Sequence, residues 1–462
     1  MKQILTQGNK IHFTSLGCAR NLVDTEVMLG AVLKAGYELT GEEQEADYLV
    51  VNTCGFLESA RQEALDVLEE LFEEKKSDAK VIVTGCMVQK HSGVIKEAFP
   101  NVHYMLGPGD VEKILEALTS DLPGEEITSA RSYLQWGEVP RTLTTPSHFA
   151  YLKIAEGCLK RCSFCIIPTI KGPLKSKTNE QVIREFKALL AQGVHEVILI
   201  AQDLGDFGKE RREKNALESL LRSMLEVEGD YWIRLLYLYP DEISDELIDI
   251  IASDSRLLPY LDMPIQHINP TILKAMRRKT SKEQIIAIYE KLRTRLPTSV
   301  IRTSLMVGFP GETEEQFEEL VSFVQDYPLD NIGVFQFSME EGAHAAKLAG
   351  HLSPAIKEER FHRLMQVQQE VACQLLNKYI GQTLQVMVEG YHPDSDLLMR
   401  GRFYGQCPDI DGQVIINDPS AVKEFGCLHE VVITDVIGYD LIGYATRPLQ
   451  SEKKNSPLSL IT

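Results

Sequence analysis

The run Glu156-Gly157-Cys158-Leu159-Lys160-Arg161-Cys162-Ser163-Phe164-Cys165 constrains this chain more than any other stretch. Its three thiols are spaced by four and three residues, so one short loop can turn all of them toward a single iron-sulfur cube. A 4Fe-4S cluster is ordinarily closed by four cysteines. This loop supplies three, and the next cysteine, Cys373, is too distant in sequence to be assumed a partner. One iron is therefore expected to stay open to a small molecule. The competing readings are a zinc knuckle or three unrelated buried thiols. Zinc asks for four closed ligands in two pairs, and neither a His nor a further Cys follows at ligand spacing.

With Phe164 as the aromatic residue before the last cysteine, the loop resembles that of the radical S-adenosylmethionine (SAM) enzymes. The resemblance implies an open iron that chelates the amino and carboxylate groups of SAM, and a reduced cluster that cleaves it to a 5′-deoxyadenosyl radical. The cofactor does that chemistry and the protein positions it.

Upstream, apolar strands alternate with amphipathic helices. Strands are expected at Ile11–Leu16, Tyr48–Asn52 and Val81–Thr84, with helices over most of Leu22–Leu39 and about Ser59–Lys76. This pattern gives a parallel sheet with helical crossovers. A cysteine follows each strand: Cys18, Cys54 and Cys86, separated by 36 and 32 residues. In an open parallel sheet the carboxyl ends share one edge, where ligands bind, so the three thiols converge. A second iron-sulfur site is the expectation, with zinc or plain packing as the alternatives.

Pro123, Gly124, Gly137, Pro140 and Pro146 interrupt residues 122–147, which read as a linker. Alternation then resumes with strands at Ala150–Ala155, Glu196–Ala201, Trp232–Tyr237, Tyr260–His267, Ser299–Val307 and Ile332–Ser338. About six such units make a partial or full barrel whose site collects at the carboxyl ends of its strands. Gln202, Gln266 and His267 stand at those ends. Gly308-Phe309-Pro310-Gly311-Glu312-Thr313 joins a strand to a helix and reads as a SAM-contacting loop, with Thr313 as its cap. Arg302 could pair with the SAM carboxylate or hold a structural acid. From Gly381 onward, short strands spaced by Gly and Asp suggest a small β-barrel, followed by a polar, mobile tail after Arg447.

The formal charge of −19 disfavours loose binding to a phosphate backbone and favours a basic partner. Nine cysteines read as reduced thiols rather than a disulfide framework. The polar start Met1–Gly8 and the absence of a bilayer-length apolar run point to the cytoplasm and to no membrane partner.

With these segments placed, the chain resembles the methylthiotransferase family almost end to end. The matching residues are Ser15-Leu16-Gly17-Cys18, Val51-Asn52-Thr53-Cys54-Gly55-Phe56, Cys165-Ile166-Ile167-Pro168 and the Gly308–Thr313 loop. The resemblance implies a Rossmann-like parallel-sheet domain (1–121), a linker (122–147), a radical SAM partial TIM barrel (148–378), a TRAM β-barrel (379–447) and a tail (448–462). Asn21-Leu22-Val23-Asp24 and Tyr260–His267 are most similar to the branch that methylthiolates the β-carbon of an aspartate in the twelfth small-subunit ribosomal protein. Two departures are Ala19-Arg20 in place of Pro-Lys and Lys177 in place of Arg.

The implied division of labour is two 4Fe-4S clusters and two uses of SAM. Cys158, Cys162 and Cys165 would hold the radical-forming cluster, and Cys18, Cys54 and Cys86 the one that supplies sulfur. Phe164, Gln202, Gln266, Arg302 and Gly308 would contact SAM. No proton-transfer residue is named beyond the cluster ligands, and an electron-donor protein is a further expected partner. The main alternative is methylthiolation of adenosine in tRNA, and a lesser one is a non-catalytic iron-sulfur carrier. Between Gly381 and Ala445 the terminal barrel carries Glu389, Asp394, Asp396, Asp409, Asp411, Asp418, Glu424, Glu430, Asp435 and Asp440 against Arg400, Arg402 and Lys423, which favours a basic protein over tRNA.

Overall fold

A computed structural model describes residues 9–127, 132–135 and 140–449. The expectations for Met1–Gly8, for Gly137 of the linker and for the tail beyond Leu449 lie outside these residues.

The N-terminal strands are β1 (Lys10–Ser15), β2 (Glu38–Leu39), β3 (Tyr48–Thr53), β4 (Lys80–Gly85), β5 (Tyr104–Leu106) and β6 (Gly124–Glu126). They form one parallel sheet in the order β2-β1-β3-β4-β5-β6. Leu49-Val50-Val51 and Val81-Ile82-Val83 are buried on both faces, which is why these strands read as unbroken apolar runs. The crossovers are α1 (Ala19–Ala35), α2 (Glu58–Glu74), α3 (Cys86–Ala98) and the short α4 (Ile114–Thr119). Helix α1 starts earlier than its apolar period suggests, directly after Cys18, and stops at Gly36 in a left-handed conformation. Strand β6 pairs with β5, so the first part of the Pro/Gly-interrupted stretch extends this sheet.

The second sheet contains β7 (Phe149–Lys153), β10 (Glu196–Ile200), β11 (Trp232–Leu235), β12 (Leu257–Asp262), β13 (Val300–Val307) and β14 (Asn331–Gln336). All six are parallel in the order β14-β13-β12-β11-β10-β7, an open partial barrel rather than a closed one. A two-stranded ribbon of β8 (Ala155–Glu156) and β9 (Lys175–Ser176) brackets the cysteine loop and α5 (Ile167–Lys171). Strand β12 ends at Asp262, before the expected His267. Pro264 cannot donate to the ladder, and Met263 O and Ile265 N–H turn to the Thr303 hydroxyl (2.7 and 3.1 Å) before the chain bridges β13 again at Gln266, opposite Leu305.

The terminal strands β15 (Thr383–His392), β16 (Ser395–Phe403), β17 (Val414–Asp418), β18 (Cys427–Ile437) and β19 (Asp440–Pro448) close into a barrel. It packs Met387, Cys407 and Leu428 against Tyr151, Trp232 and Val300 of the second sheet. Buried charge also joins them: Glu196 accepts from Arg234 at 2.6 Å and from Arg402 of the terminal barrel at 2.8 Å.

Candidate functional site: two cysteine trios facing one short helix

Because β1, β3 and β4 are neighbours, the residues that follow them meet at one edge. Cys18 caps α1, Cys54 follows β3 and Cys86 opens α3. Their approach is tight: a Cβ at Gly17, where φ is +92°, would stand 2.8 Å from Cys54 Cβ, and one at Gly55 would stand 2.6 Å from the Met87 nitrogen. Only glycine fits such a turn. Asn21 ties the edge together, donating to Thr53 O at 3.0 Å and Leu16 O at 3.2 Å while its Oδ1 lies 3.7 Å from Cys86 Sγ.

Burial pushes the Cys86 thiol up to about 12, against the nearby Lys171 ammonium. Cys54 is also raised, chiefly by burial. Burial works the same way on Cys18, but the Arg20 charge and the N–H groups of Asn21 and Arg20 outweigh it and hold that thiol below its usual range. Positive charge and backbone donors stabilise thiolate, the form that binds metal.

The second trio sits in the loop after β8. Lys160 N–H donates to Cys158 Sγ at 3.3 Å and Ile167 N–H to Cys165 Sγ at 3.4 Å. The Tyr239 hydroxyl lies 2.5 Å from Cys162 Sγ, with Arg278 Nη1 at 3.7 Å. Burial raises Cys158 and Cys165 to about 12, and these donors act in the opposite direction. The loop is pinned from both sides, by Ser163 N–H to Met276 O (3.0 Å) and Ala345 N–H to Ser163 O (2.7 Å). Phe164 packs beside Phe309 of the glycine-rich loop and Met276.

All six thiols are free. Each trio has the donor set a three-cysteine cluster needs: sulfurs on one edge or loop, with hydrogen-bond donors aimed at them. By contrast, the neighbouring carboxylates Asp203, Asp206 and Glu242 surround a cation of the chain itself, Lys160, whose Nζ lies 3.2, 3.2 and 2.5 Å from them.

The segment of α5 touches both trios, and Ile167 at its start donates to Cys165 Sγ. Ile166 and Ile170 pack against Cys86. Lys171, at the end of α5, places its Nζ 2.7 Å from Glu156 and 3.3 Å from Asp24 of α1. Lys153 joins the same buried group through Asp24 and Glu156. Nearby, Arg141 binds Glu26 of α1 at 2.6 Å and Glu185 at 2.7 Å.

Comparison with known proteins follows the same three parts. Residues 10–107 match the uncharacterized protein family UPF0004, residues 152–324 the radical SAM superfamily and residues 380–445 the TRAM domain. A relative from Protochlamydia amoebophila (strain UWE25), named ribosomal protein uS12 methylthiotransferase RimO, is 63% identical over 440 residues, covering 95% of this chain and 93% of its own. A relative of the same name from Bdellovibrio bacteriovorus is 42% identical, covering 96% and 99%. The chain belongs to the RimO methylthiotransferase family. Among solved structures, the radical SAM methyltransferase TsrM from Kitasatospora setae shares the fold at a TM-score of 0.51 with 15% identity, covering 71% of this chain and 75% of its own. Radical SAM membership implies a 4Fe-4S cluster and SAM.

Within this RimO-family chain, the residues expected around SAM are placed unevenly. Arg302 is engaged by Asp262 at 2.8 Å and by Asp411 of the terminal barrel at 3.6 Å. The Gly308 N–H is taken by the Glu312 carboxylate, and Lys357 lies over its α-carbon. His267 accepts from Asn269 N–H at 2.9 Å through Nδ1. Gln266 adopts φ +71° where the chain rejoins β13. Gln202 buries both amide atoms without a partner, as a side chain awaiting a polar ligand would. Sequence reasoning missed Tyr239 and Arg278, whose guanidinium stacks 3.8 Å from the Tyr239 ring centre and has no ion-pair partner among the described residues.

Proposed function

We propose that this chain is a radical SAM methylthiotransferase that converts an aspartate of ribosomal protein uS12 to 3-methylthioaspartate, using two 4Fe-4S clusters and two SAM molecules. The observation that carries this reading is the pair of three-thiol sites linked through α5, whose segment touches both Cys86 and Cys165, since carbon-sulfur bond formation needs a hydrogen-abstracting centre beside a sulfur source. Cys158, Cys162 and Cys165 hold the first cluster and Cys18, Cys54 and Cys86 the second. When bound, the first group with SAM supplies a carbon radical able to attack an unactivated C–H bond, and the second supplies the methylated sulfur.

The protein's part is placement. Phe164 presses the cysteine loop onto the glycine-rich loop. Arg278, beside Cys162 and without a carboxylate, suits the SAM carboxylate better than Arg302, whose charge is already met. Gln202 offers an amide to a ligand in the same mouth. Substrate choice is supported by the relatives' shared name and by Asp394, Asp396, Asp418, Glu424 and Asp435, exposed on the terminal barrel where they would attract a basic protein. An electron-donor protein completes the cycle.

The test is anaerobic reconstitution with SAM and a reductant, offering uS12 or tRNA in parallel, with mass spectrometry of both. The expected result is a methylthio group on the ribosomal protein. Methylthioadenosine with an untouched polypeptide would replace this reading with the tRNA one.

A further inference from the structure

Arg20 lies two residues past Cys18 in the first turn of α1, yet its side chain leaves the N-terminal sheet. Its Nη1 donates to Ala201 O at 2.9 Å, at the carboxyl end of β10, and its guanidinium carbon stands 4.8 Å from the ring centre of Tyr237, just past β11. It also lies against the Cys18 thiol, and its charge bears on Cys86 and Cys165 as well. A cation carried on the helix of one trio thus ends in the barrel mouth that holds the other.

What distinguishes Arg20 is what it lacks. Most of the cations around this mouth are matched: Lys153 and Lys171 by Asp24 and Glu156, Lys160 by its three carboxylates, Arg141 by Glu26 and Glu185, and Arg302 by Asp262 and Asp411. Among the described residues, no carboxylate lies within ion-pair distance of Arg20, whose partners are a carbonyl, a thiol and a ring. Arg278 is also unmatched, but it sits on Cys162, on the SAM side. A guanidinium carries five N–H donors in a planar fork that fits a carboxylate. Here most of that fork is unspent. The residue after Ala201 is Gln202, whose two amide atoms are buried and unpartnered, an independent sign that a polar ligand belongs in this mouth.

We propose that Arg20 receives the side-chain carboxylate of the substrate aspartate and is the residue that selects an acidic target. This deepens the function proposed above and rests on it. In an aspartate the β-carbon is bonded directly to the carboxylate carbon, so gripping the carboxylate fixes the C–H to be attacked to within one bond. A carboxylate on Arg20 places that carbon between the two trios. It also supplies the missing counter-charge. An adenine base has no carboxylate and would leave the guanidinium unmatched, which costs affinity.

The experiment compares wild type, Arg20→Lys and Arg20→Met, each reconstituted as the full chain. The substrates are uS12 and uS12 carrying asparagine at the target position. Iron content and electron paramagnetic resonance are read for each variant, and Arg20→Lys, which keeps the charge beside Cys18, is expected to retain both clusters, so that activity is compared per loaded cluster for Arg20→Met. Arg20→Met should lose about tenfold to a hundredfold in kcat/KM on the aspartate substrate. The asparagine substrate should impose a similar loss on wild type and little further loss on Arg20→Met, because both changes remove the same contact. Arg20→Lys should recover part of the activity. Loss of the Cys18 cluster in both variants, or equal losses on the two substrates, would show that Arg20 only props α1. A wild type indifferent to the aspartate-to-asparagine change would overturn this inference alone. A wild type that leaves uS12 untouched would overturn the proposed function, and this inference with it.

Discussion

At the scale of single residues, the two trios should separate cleanly by mutation. Cys162→Ala is expected to abolish SAM cleavage, measured as 5′-deoxyadenosine, whereas Cys54→Ala should allow cleavage and block sulfur transfer. Equal loss of cleavage in both variants would remove the division of labour. Tyr239→Phe removes the donor 2.5 Å from Cys162 Sγ, a contact that favours the more negative, reduced cluster. Its reduction potential should move to more negative values in a spectroscopic redox titration, with the iron content unchanged. The cysteines could be found in the sequence because a loop's spacing is local geometry. Tyr239 and Arg278 could not, because they lie 77 and 116 residues from Cys162 and reach it only through the folded barrel.

At the scale of elements, the parallel sheets could be read from runs such as Leu49-Val50-Val51, because burial on both faces leaves an unbroken apolar signature. The end of β12 was harder to read. Tyr260 to His267 is apolar enough to read as one strand, and only the ladder pairing shows that the chain departs after Asp262. The turns between elements carry their own prediction. Gly17→Ala would force a Cβ to within 2.8 Å of Cys54 Cβ at a φ of +92°. Reconstituted protein should then fall from about eight irons per chain to about four, as one 4Fe-4S site is lost and the loop trio is spared. A full complement of iron in that variant would mean that the edge tolerates more than its geometry indicates.

At the scale of the whole molecule, buried charge joins the three parts, and composition alone gave no sign of which charges would be spent this way. Burial would raise the Glu196 carboxyl, but Arg234 and Arg402 outweigh it and hold it down at about 2, against an ordinary 4.5. That contribution is fully present above about 4.5 and is lost as pH falls toward about 2. Glu196→Gln should therefore cost about 3 kcal/mol at neutral pH, since two buried guanidinium groups lose their partner. The deficit should shrink when unfolding midpoints are compared at progressively lower pH. A constant deficit across that range would assign the loss to packing instead. Helix α1 begins directly after Cys18, carries Arg20, Asp24 and Glu26, and is bonded to Lys153 of the barrel through Asp24 and to Arg141 of the linker through Glu26. Any hinge between the halves would have to break these buried pairs, so order in the reaction falls instead to the sequence in which small guests arrive and depart. Hydrogen exchange along α1 should be equally slow with and without SAM.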